Sequence, residues 1–227
     1  MAALAMSLKR AALCAALLLC GGMGSAMPDE AAERQLIVSA INGNVEGVRA
    51  ALKNGASINV RDNRGRTALL IATHANNVEM AQALIAAGAD VNARDHIEDS
   101  PYLYAGAEGR NEILRMTLEA GADLRSTNRY GGTALIPAAH HGHPETVAIL
   151  LRTRIDKDHI NKLGWTALLE AVILGDGGPT YARIVQMLVK ARANPNIADR
   201  NGVTPLGHAR ARNLTEIAKT LEAAGAR

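Results

Sequence analysis

The sequence predicts an all-α fold in which about six helix-turn-helix units stack into a solenoid, joined by short β-hairpin loops. The first observation is a period of 33 residues, because Thr67, Ser100, Thr133 and Thr166 follow one another at that spacing, with a step of 38 residues to Thr204. The second is that signals for helix starts and stops recur at the same period. The third is composition, since the chain has no Phe and is rich in Ala and Leu, which suits slender, closely packed helices. A period of about 20 to 50 residues is typical of solenoids.

Residues 1–26 have the organisation of a secretory signal peptide. Lys9 and Arg10 precede an apolar run over residues 11–20, and small residues lead to a predicted cleavage site after Ala26. The run is shorter than the roughly 18 apolar residues that a membrane-spanning helix needs. We therefore expect residues 27–227 to be the mature protein, exported to the bacterial periplasm, with secretion as the second choice and no membrane association after cleavage.

A lipoprotein is the alternative for this segment. In that case Cys20 would carry the lipid, although Leu19 is bulkier than such sites usually tolerate. Both cysteines of the chain, Cys14 and Cys20, lie within the predicted signal. The mature chain is therefore expected to contain no disulfide, no cysteine nucleophile and no cysteine metal ligand.

The net charge gives no support for nucleic-acid binding. The chain has 25 basic and 22 acidic residues, and loss of Lys9 and Arg10 with the signal leaves 23 against 22, a net charge of +1. Proteins that bind nucleic acid usually carry a basic patch on the folded domain. The slight basicity of the full chain belongs to the export signal instead.

Each unit contains the signals of two helices. An Asp or Asn and a Gly precede a Thr or Ser that can cap a helix through a backbone N–H. There follow an apolar helix such as 69–72, a polar turn and a second helix such as 78–87. Gly88 ends the second helix, because glycine adopts the left-handed backbone conformation at a helix end more easily than any other residue. One helix pair cannot bury its own apolar face, so the units must stack. The predicted units are approximately 29–61, 62–94, 95–127, 128–160, 161–198 and 199–227.

The recurring residues resemble the ankyrin repeat, whose signature reads Thr-Pro-Leu-His near its start and Gly-Ala-Asp-Val-Asn near its end. Residues 204–207 read Thr-Pro-Leu-Gly and residues 88–92 read Gly-Ala-Asp-Val-Asn. The resemblance covers about residues 33–227. It implies an ankyrin-repeat α-solenoid that is not an enzyme, needs no cofactor, and binds a partner protein through its hairpin tips and the concave face of its first helices. We expect a monomer.

Three features depart from the repeat. Five extra residues lie in the fifth unit around residues 175–181, between its two helices, as a surface insertion or a binding loop. Arg154 and Arg192 replace the glycine after the second helix, so that either backbone strain of about 1 kcal/mol is accepted or the turn is rerouted. Pro137 lies in the first turn of its helix, where it removes at most one hydrogen bond. In the first unit Arg34 stands in place of the capping Thr.

The strongest candidate for chemistry is the sequence His140-His141-Gly142-His143. Three imidazoles could ligate a metal, which makes a metal-handling or small catalytic periplasmic protein the alternative function. The predicted mature chain, however, has no cysteine to complete the ligand set. Asp156 and Asp158 match only the start of a calcium loop. Glu170 and His208 occupy equivalent positions in neighbouring units and are predicted to form a buried polar pair. A structural envelope protein without a specific partner is the third possibility.

Aligning the units predicts a continuous partner-binding stripe centred on the fourth and fifth units. Trp165 is the only tryptophan and, with Tyr130, lies at a turn tip, where Trp, Tyr and Arg often dominate binding energy. An alternative is that Trp165 folds back onto the neighbouring hairpin. The insertion contributes Asp176, Pro179 and Tyr181 at the edge of the stripe. The predicted partner-binding residues are Arg64, Arg66, His74, His96, Asp99, Glu108, Arg129, Tyr130, His140, His141, Lys162, Leu163, Trp165, Ile173 and Leu174.

Overall fold

The computed structural model describes residues 29–227, which fold into twelve α-helices arranged as six consecutive pairs. The predicted signal peptide and its cleavage site lie outside these residues. None of the helices from residue 29 onward is long and apolar enough to cross a membrane. The helices are α1 (Glu30–Ile41), α2 (Val45–Lys53), α3 (Ala68–His74), α4 (Val78–Ala86), α5 (Pro101–Ala107), α6 (Asn111–Glu119), α7 (Leu135–His140), α8 (Pro144–Leu151), α9 (Ala167–Ile173), α10 (Pro179–Lys190), α11 (Pro205–Ala211) and α12 (Thr215–Ala223).

The pairs stack in chain order, which confirms the predicted solenoid. Each odd-numbered helix packs on the next odd-numbered helix, from α1 to α11, and the even-numbered helices form a second row in the same way. Between pairs the chain makes tight hairpin-like turns. In the turn before α3, the Asp62 N–H donates to the Arg66 carbonyl over 3.0 Å and the Gly65 N–H donates to the Asp62 carbonyl over 2.9 Å. No residue between 29 and 227 is in a β-strand.

One buried residue per unit forms a continuous layer through the first-helix row. These residues recur at the repeat spacing, and each is at most 2% exposed to solvent, so every pair contributes one large side chain to the same layer. A solenoid is stabilised by such contacts between neighbouring units rather than by one central core. The residues of this layer are Leu36, Leu69, Tyr102, Leu135, Leu168 and Leu206.

Four of the five predicted helix caps are confirmed, and the fifth is wrong. Thr133 caps no helix, and α7 begins two residues later at Leu135. The reason is Pro137, which has no N–H to donate to the Thr133 carbonyl, so the Ile136 N–H donates to it over 3.1 Å. The hydroxyl of Thr133 is buried without a protein partner among the described residues. The confirmed caps, each accepting a hydrogen bond from the N–H three residues later, are Thr67, Ser100, Thr166 and Thr204.

Thr166, which caps a helix, and Thr133, which does not, allow a matched test of capping. Thr166→Val keeps the shape of the side chain but removes the cap of α9, so we expect a loss of about 1 kcal/mol in the free energy of unfolding. Thr133→Val removes a hydroxyl that has no hydrogen-bond partner within residues 29–227, so it should cost nothing or stabilise the protein slightly. Urea unfolding of both variants measures the difference, and equal losses would contradict the assignment.

The two arginines at glycine positions behave differently. Arg192 has φ 66°, so this turn accepts the left-handed conformation that Gly55, Gly88, Gly121 and Gly225 adopt at the equivalent position. Arg154 has no positive φ, because α8 is shorter and ends at Leu151. The hydroxyl of Thr153 donates to the Leu150 carbonyl over 2.6 Å and accepts from the Ile155 N–H over 3.1 Å, which reroutes this turn.

This contrast predicts opposite effects of glycine. Arg192→Gly relieves a strained backbone and should raise the free energy of unfolding by up to about 1 kcal/mol. Arg154→Gly relieves nothing and adds freedom to the unfolded chain, so it should lower stability by several tenths of a kcal/mol. Thermal unfolding of the two variants beside the parent protein measures both signs, and a gain for Arg154→Gly would show that its turn is strained.

Two further expectations are corrected at the ends of helices. In the first unit Arg34 does not take the place of a cap, because α1 begins earlier and is capped by Asp29, whose side chain accepts from the Ala31 N–H over 2.9 Å. In the fifth unit only residues 174–178 form a loop. The rest of the predicted insertion lengthens α10 to 12 residues, compared with 9 in α4.

Candidate functional site

A cleft of about 450 Å³ runs across the third, fourth and fifth helix pairs. Its walls are the first helices α5, α7 and α9 and the three turns that precede them. The repeat places equivalent residues of neighbouring units side by side, so each unit supplies one segment of the same surface. This volume lies within the range of about 300 to 1,000 Å³ that is usual for binding pockets.

Large apolar side chains line the cleft while remaining open to solvent. Tyr130 is 54% exposed, Leu163 is 49% exposed and Leu174 is 41% exposed, and all three line it. Beneath them, Ile136 and Pro137 of α7 are buried. A partner that covered these side chains would remove apolar surface from water, which favours binding by about 25 cal/mol per Å².

A charged group borders the apolar surface on one side. The Arg129 guanidinium lies 4.8 Å from the centre of the Tyr130 ring, where a cation–π interaction is favourable. Its Nη1 is 3.8 Å from Asp99 Oδ1. Burial and the nearby Asp95 carboxylate raise the pKa of Asp99, and Arg129 opposes that increase.

The most buried ionisable group of the cleft is Glu170 of α9, whose side chain is 6% exposed. Asn161 Nδ2 donates to its Oε1 over 2.8 Å, and His140 Nδ1 lies 3.3 Å from its Oε2. Burial raises the pKa of Glu170 to about 7, and the Asn161 hydrogen bond opposes this shift. Burial and the neighbouring His141 lower the pKa of His140. Burial therefore favours the protonated carboxyl of Glu170 and the neutral imidazole of His140.

The side chains of His140, His141 and His143 contact different residues. His140 lies against Glu170, and His141 Nδ1 lies 2.8 Å from the Ala107 carbonyl and 3.7 Å from Glu108 Oε1. The ring of His143 packs on Gly109 of the preceding unit. Among residues 29–227 no group of three or more His, Cys, Asp or Glu side chains is arranged to hold a metal ion.

The predicted pair between Glu170 and His208 is wrong. His208 Nε2 lies 2.8 Å from Asp199 Oδ2, and Glu170 bonds to Asn161. Glu170 and His208 therefore each bond to the residue nine positions earlier in the chain, which is the first residue of the turn before their own helix. Each of the two residues has a hydrogen-bond partner within its own unit, and Glu170 also contacts His140 of the preceding unit.

The structure brings about half of the predicted binding residues into the cleft. Some of the others hold neighbouring turns together: Lys162 Nζ donates to the Arg129 carbonyl over 2.9 Å, and the ring of His96 packs on Gly65. Trp165 is partly buried and does not line the cleft. The predicted residues that line it are Asp99, Glu108, Arg129, Tyr130, His140, His141, Leu163 and Leu174. Those that do not are Arg64, Arg66, His74, His96, Lys162, Trp165 and Ile173.

The insertion faces the neighbouring unit, outside the cleft. The Tyr181 hydroxyl donates to the His140 carbonyl over 2.8 Å, so this side chain fastens α10 to the end of α7. Asp176 accepts from the Gly178 N–H over 2.7 Å, and Pro179 is the first residue of α10. These three predicted residues have structural contacts and do not line the cleft.

Sequence reasoning missed several lining residues. Tyr104 stacks on His74 with ring centres 3.9 Å apart, so the predicted residue His74 supports the cleft from behind. Glu170 and Asn161 also line it. A sequence signal for Glu170 existed, because a carboxylate in the middle of an apolar helix needs a partner. A second, more open cleft, which includes Arg64 and Arg66, lies between α1 and the turn before α3.

Comparison with known proteins agrees with this architecture. The family model for ankyrin repeats (three copies) matches residues 2–95 and 102–199. An ankyrin repeat domain from Acinetobacter baumannii AYE is 57% identical, with a TM-score of 0.83 over 85% of this chain and 98% of that one. The ankyrin repeat protein EF0377 is 43% identical, with a TM-score of 0.81 over 84% of this chain and 97% of its own.

Two further relatives share the same repeat. The ankyrin repeat domain of Bcl-3, a member of the IkappaB protein family, is 27% identical, with a TM-score of 0.76 over 85% of this chain and 86% of that one. The ankyrin repeat protein YahD of Escherichia coli is 49% identical over 57 residues, which are 25% of this chain and 28% of that protein. The ankyrin-repeat model matches two long stretches of the chain, similar solved structures are ankyrin repeat domains, and the structure has six stacked helix pairs. The chain therefore belongs to the ankyrin-repeat family.

Proposed function

We propose that this protein is a non-catalytic scaffold that binds a partner protein through the cleft formed by its third, fourth and fifth units. Ankyrin repeats are in general protein–protein interaction modules and are typically not catalytic. The observation that carries the proposal is the exposure of Tyr130, Leu163 and Leu174 around one recessed set of polar groups. Binding energy in protein interfaces is concentrated in such aromatic and apolar side chains at the centre of a contact.

The distribution of exposed apolar residues supports this location. Seven large apolar side chains are exposed among the described residues, and three of them line this one cleft. Ile160, at 51% exposure, is as open to solvent as these three but does not line the cleft. Single exposed apolar side chains are normal, whereas a contiguous group marks an interaction surface.

This difference gives a matched experiment. The immobilised protein would capture its partner from an envelope extract, and the captured protein would then be purified and its affinity measured. Tyr130→Ala and Leu163→Ala should each weaken binding by at least about tenfold, because they truncate central side chains. Ile160→Ala removes a similarly exposed side chain outside the cleft and should leave the affinity unchanged.

The variant Trp165→Ala distinguishes binding in the cleft from binding along the stripe that the sequence predicts. Its side chain does not line the cleft, so we expect a smaller effect on affinity than Tyr130→Ala produces. Circular dichroism of every variant verifies that the fold is intact. Unchanged capture by a folded Tyr130→Ala and Leu163→Ala double variant would move the site elsewhere.

We further propose that the protein acts as a monomer in the periplasm. The support for export is the signal-like order of residues 1–26 and the confinement of both cysteines to that segment. Mass spectrometry of the protein from a periplasmic extract should find an N-terminus at Met27, and light scattering should give the mass of one chain. A mature protein that retains Lys9 would contradict the export proposal.

A further inference from the structure

Glu170 is an unusual residue for its position in the repeat. The equivalent residues of the other first helices include Ile71, Tyr104 and His208. Its side chain is only 6% exposed, yet it lines the cleft. Carboxylates are almost never this deeply buried unless a cation or several hydrogen bonds compensate for the lost hydration.

The protein itself supplies little of that compensation. Asn161 donates one hydrogen bond to Oε1, while Oε2 receives no aligned hydrogen bond from any group in residues 29–227 and lies 3.3 Å from His140 Nδ1. No Lys or Arg in that part of the chain forms an ion pair with Glu170. The raised pKa of this carboxyl, about 7, is a consequence of the same burial.

Two other carboxylates lie along the same cleft. Asp99 and Glu108 belong to the third unit and Glu170 belongs to the fifth, and all three line the cleft. Arg129 is the one Lys or Arg among its lining residues, and it faces Asp99. Glu108 is 3.7 Å from the imidazole of His141, whose charge depends on pH. The cleft is therefore poor in positive charge around Glu108 and Glu170.

The geometry favours an organic cation over a metal ion. These carboxylates do not converge with the histidines into a group of three or more that could hold a metal. Side chains with large apolar surfaces, including Tyr104, Ile136 and Leu174, line the same cleft as the acidic groups. A long basic side chain has the matching pattern, because its methylene stem packs on apolar surface while its end group carries the charge.

We propose that the cleft receives a Lys or Arg side chain of the partner protein, with the charged end of that side chain at Glu170. This inference rests on the proposed partner-binding function. The stem of the basic residue lies between the apolar side chains of the cleft, and its end group donates to Glu170 Oε2. Hydrogen bonds between ionised groups are the strongest kind available in such a site.

A peptide selection tests the proposal without knowledge of the natural partner. Random peptides displayed on phage are selected on the folded protein at about pH 8, where Glu170 is mostly ionised. Peptides whose binding is lost with Tyr130→Ala occupy the cleft. We expect these peptides to share one Lys or Arg, and we expect replacement of a selected Arg by the neutral isostere citrulline to weaken binding by at least about tenfold.

The charge of Glu170 is tested by the matched variants Glu170→Gln and Glu112→Gln. Glu170→Gln keeps the size of the side chain and should lower the affinity for the arginine peptide by at least about tenfold, while the affinity for the citrulline peptide changes little. Glu112 is exposed on α6 and does not line the cleft, so Glu112→Gln should leave both affinities unchanged. Circular dichroism confirms that both variants are folded.

The outcomes distinguish this inference from the proposed function. Cleft-binding peptides without a shared basic residue, or equal affinities for the parent and Glu170→Gln proteins, would overturn the basic-residue proposal and leave the binding function standing. If no selected peptide is sensitive to Tyr130→Ala, the cleft is not a peptide-binding site and both proposals fail.

Discussion

Replacing Leu168 with Ala is expected to lower the free energy of unfolding by about 2 to 5 kcal/mol. Leu168 is 1% exposed on α9, which packs against α7, α10 and α11. Truncation removes the transfer energy of the buried methyl groups and leaves a cavity among helices that neighbours on both sides hold in place. Leu69 of α3 is completely buried in the same layer and should respond similarly.

The terminal unit provides the matched control for this prediction. Leu206 occupies the equivalent position in α11 and is 2% exposed, but α11 belongs to the last unit and packs mainly on α9 and α12. Among residues 29–227 no further helix pair packs on the other side of α11 and α12, so the structure relaxes more easily there and Leu206→Ala should cost less than Leu168→Ala. Urea unfolding measures all three variants. Losses under about 1 kcal/mol at both Leu69 and Leu168 would contradict the assigned layer.

The helix pairs were predictable from the sequence because each depends on local residues. Thr67 and Thr166 cap the helices that follow them, as their spacing indicates. The expectation failed at Thr133, where Pro137 removes a hydrogen-bond donor four residues later and shifts the start of α7. The proline was visible in the sequence. Its effect was not, since it depends on which backbone carbonyl would have accepted the missing hydrogen bond.

The cleft could be predicted only in part. Turn tips and helix ends were correctly expected to share one surface, and Tyr130 and Leu163 line the cleft. Lys162 and His96 occupy similar tips but bend back onto the preceding turn. The repeat spacing determines the backbone position of each residue but not the direction of its side chain. That direction depends on whether the preceding unit has a glycine there, because a glycine has no Cβ atom to block the side chain. At Gly131, for example, a Cβ atom would lie 2.9 Å from Lys162 Cγ.

The prediction for Glu170 failed for a related reason. Glu170 and His208 occupy equivalent positions in neighbouring units, which suggested a contact between them. Instead, Glu170 forms its hydrogen bond with Asn161 and His208 forms its hydrogen bond with Asp199, each within its own unit. Alignment of repeats shows which residues are equivalent, but equivalent residues of neighbouring units are not necessarily partners. The burial that makes Glu170 important arises from the stacking of α7, α9 and α11 and is a property of the assembled array.

The stability of the protein should depend on pH through Glu170. Burial raises the pKa of this carboxyl from its ordinary value of 4.5 to about 7 in the folded state. Below about pH 4.5 the group is protonated in both the folded and the unfolded states. As the pH rises from there to about 7, the unfolded chain ionises while the folded protein keeps the proton, so the folded state progressively loses stability. Above pH 7 the loss is complete.

Glu170→Gln should therefore have little effect on stability at about pH 4.5 and should raise the free energy of unfolding at about pH 8. The shift in pKa corresponds to an upper limit of about 3 kcal/mol. His140 acts in the opposite direction, because its lowered pKa removes stability as the pH falls, so the difference between variant and parent is the informative quantity. Urea unfolding from about pH 4.5 to 8, with Glu112→Gln as the comparison for loss of an exposed carboxyl, measures this difference. If Glu170→Gln is less stable than the parent protein at pH 8, the buried carboxylate is stabilising, and the folded protein must supply more compensation than Asn161 and His140 provide.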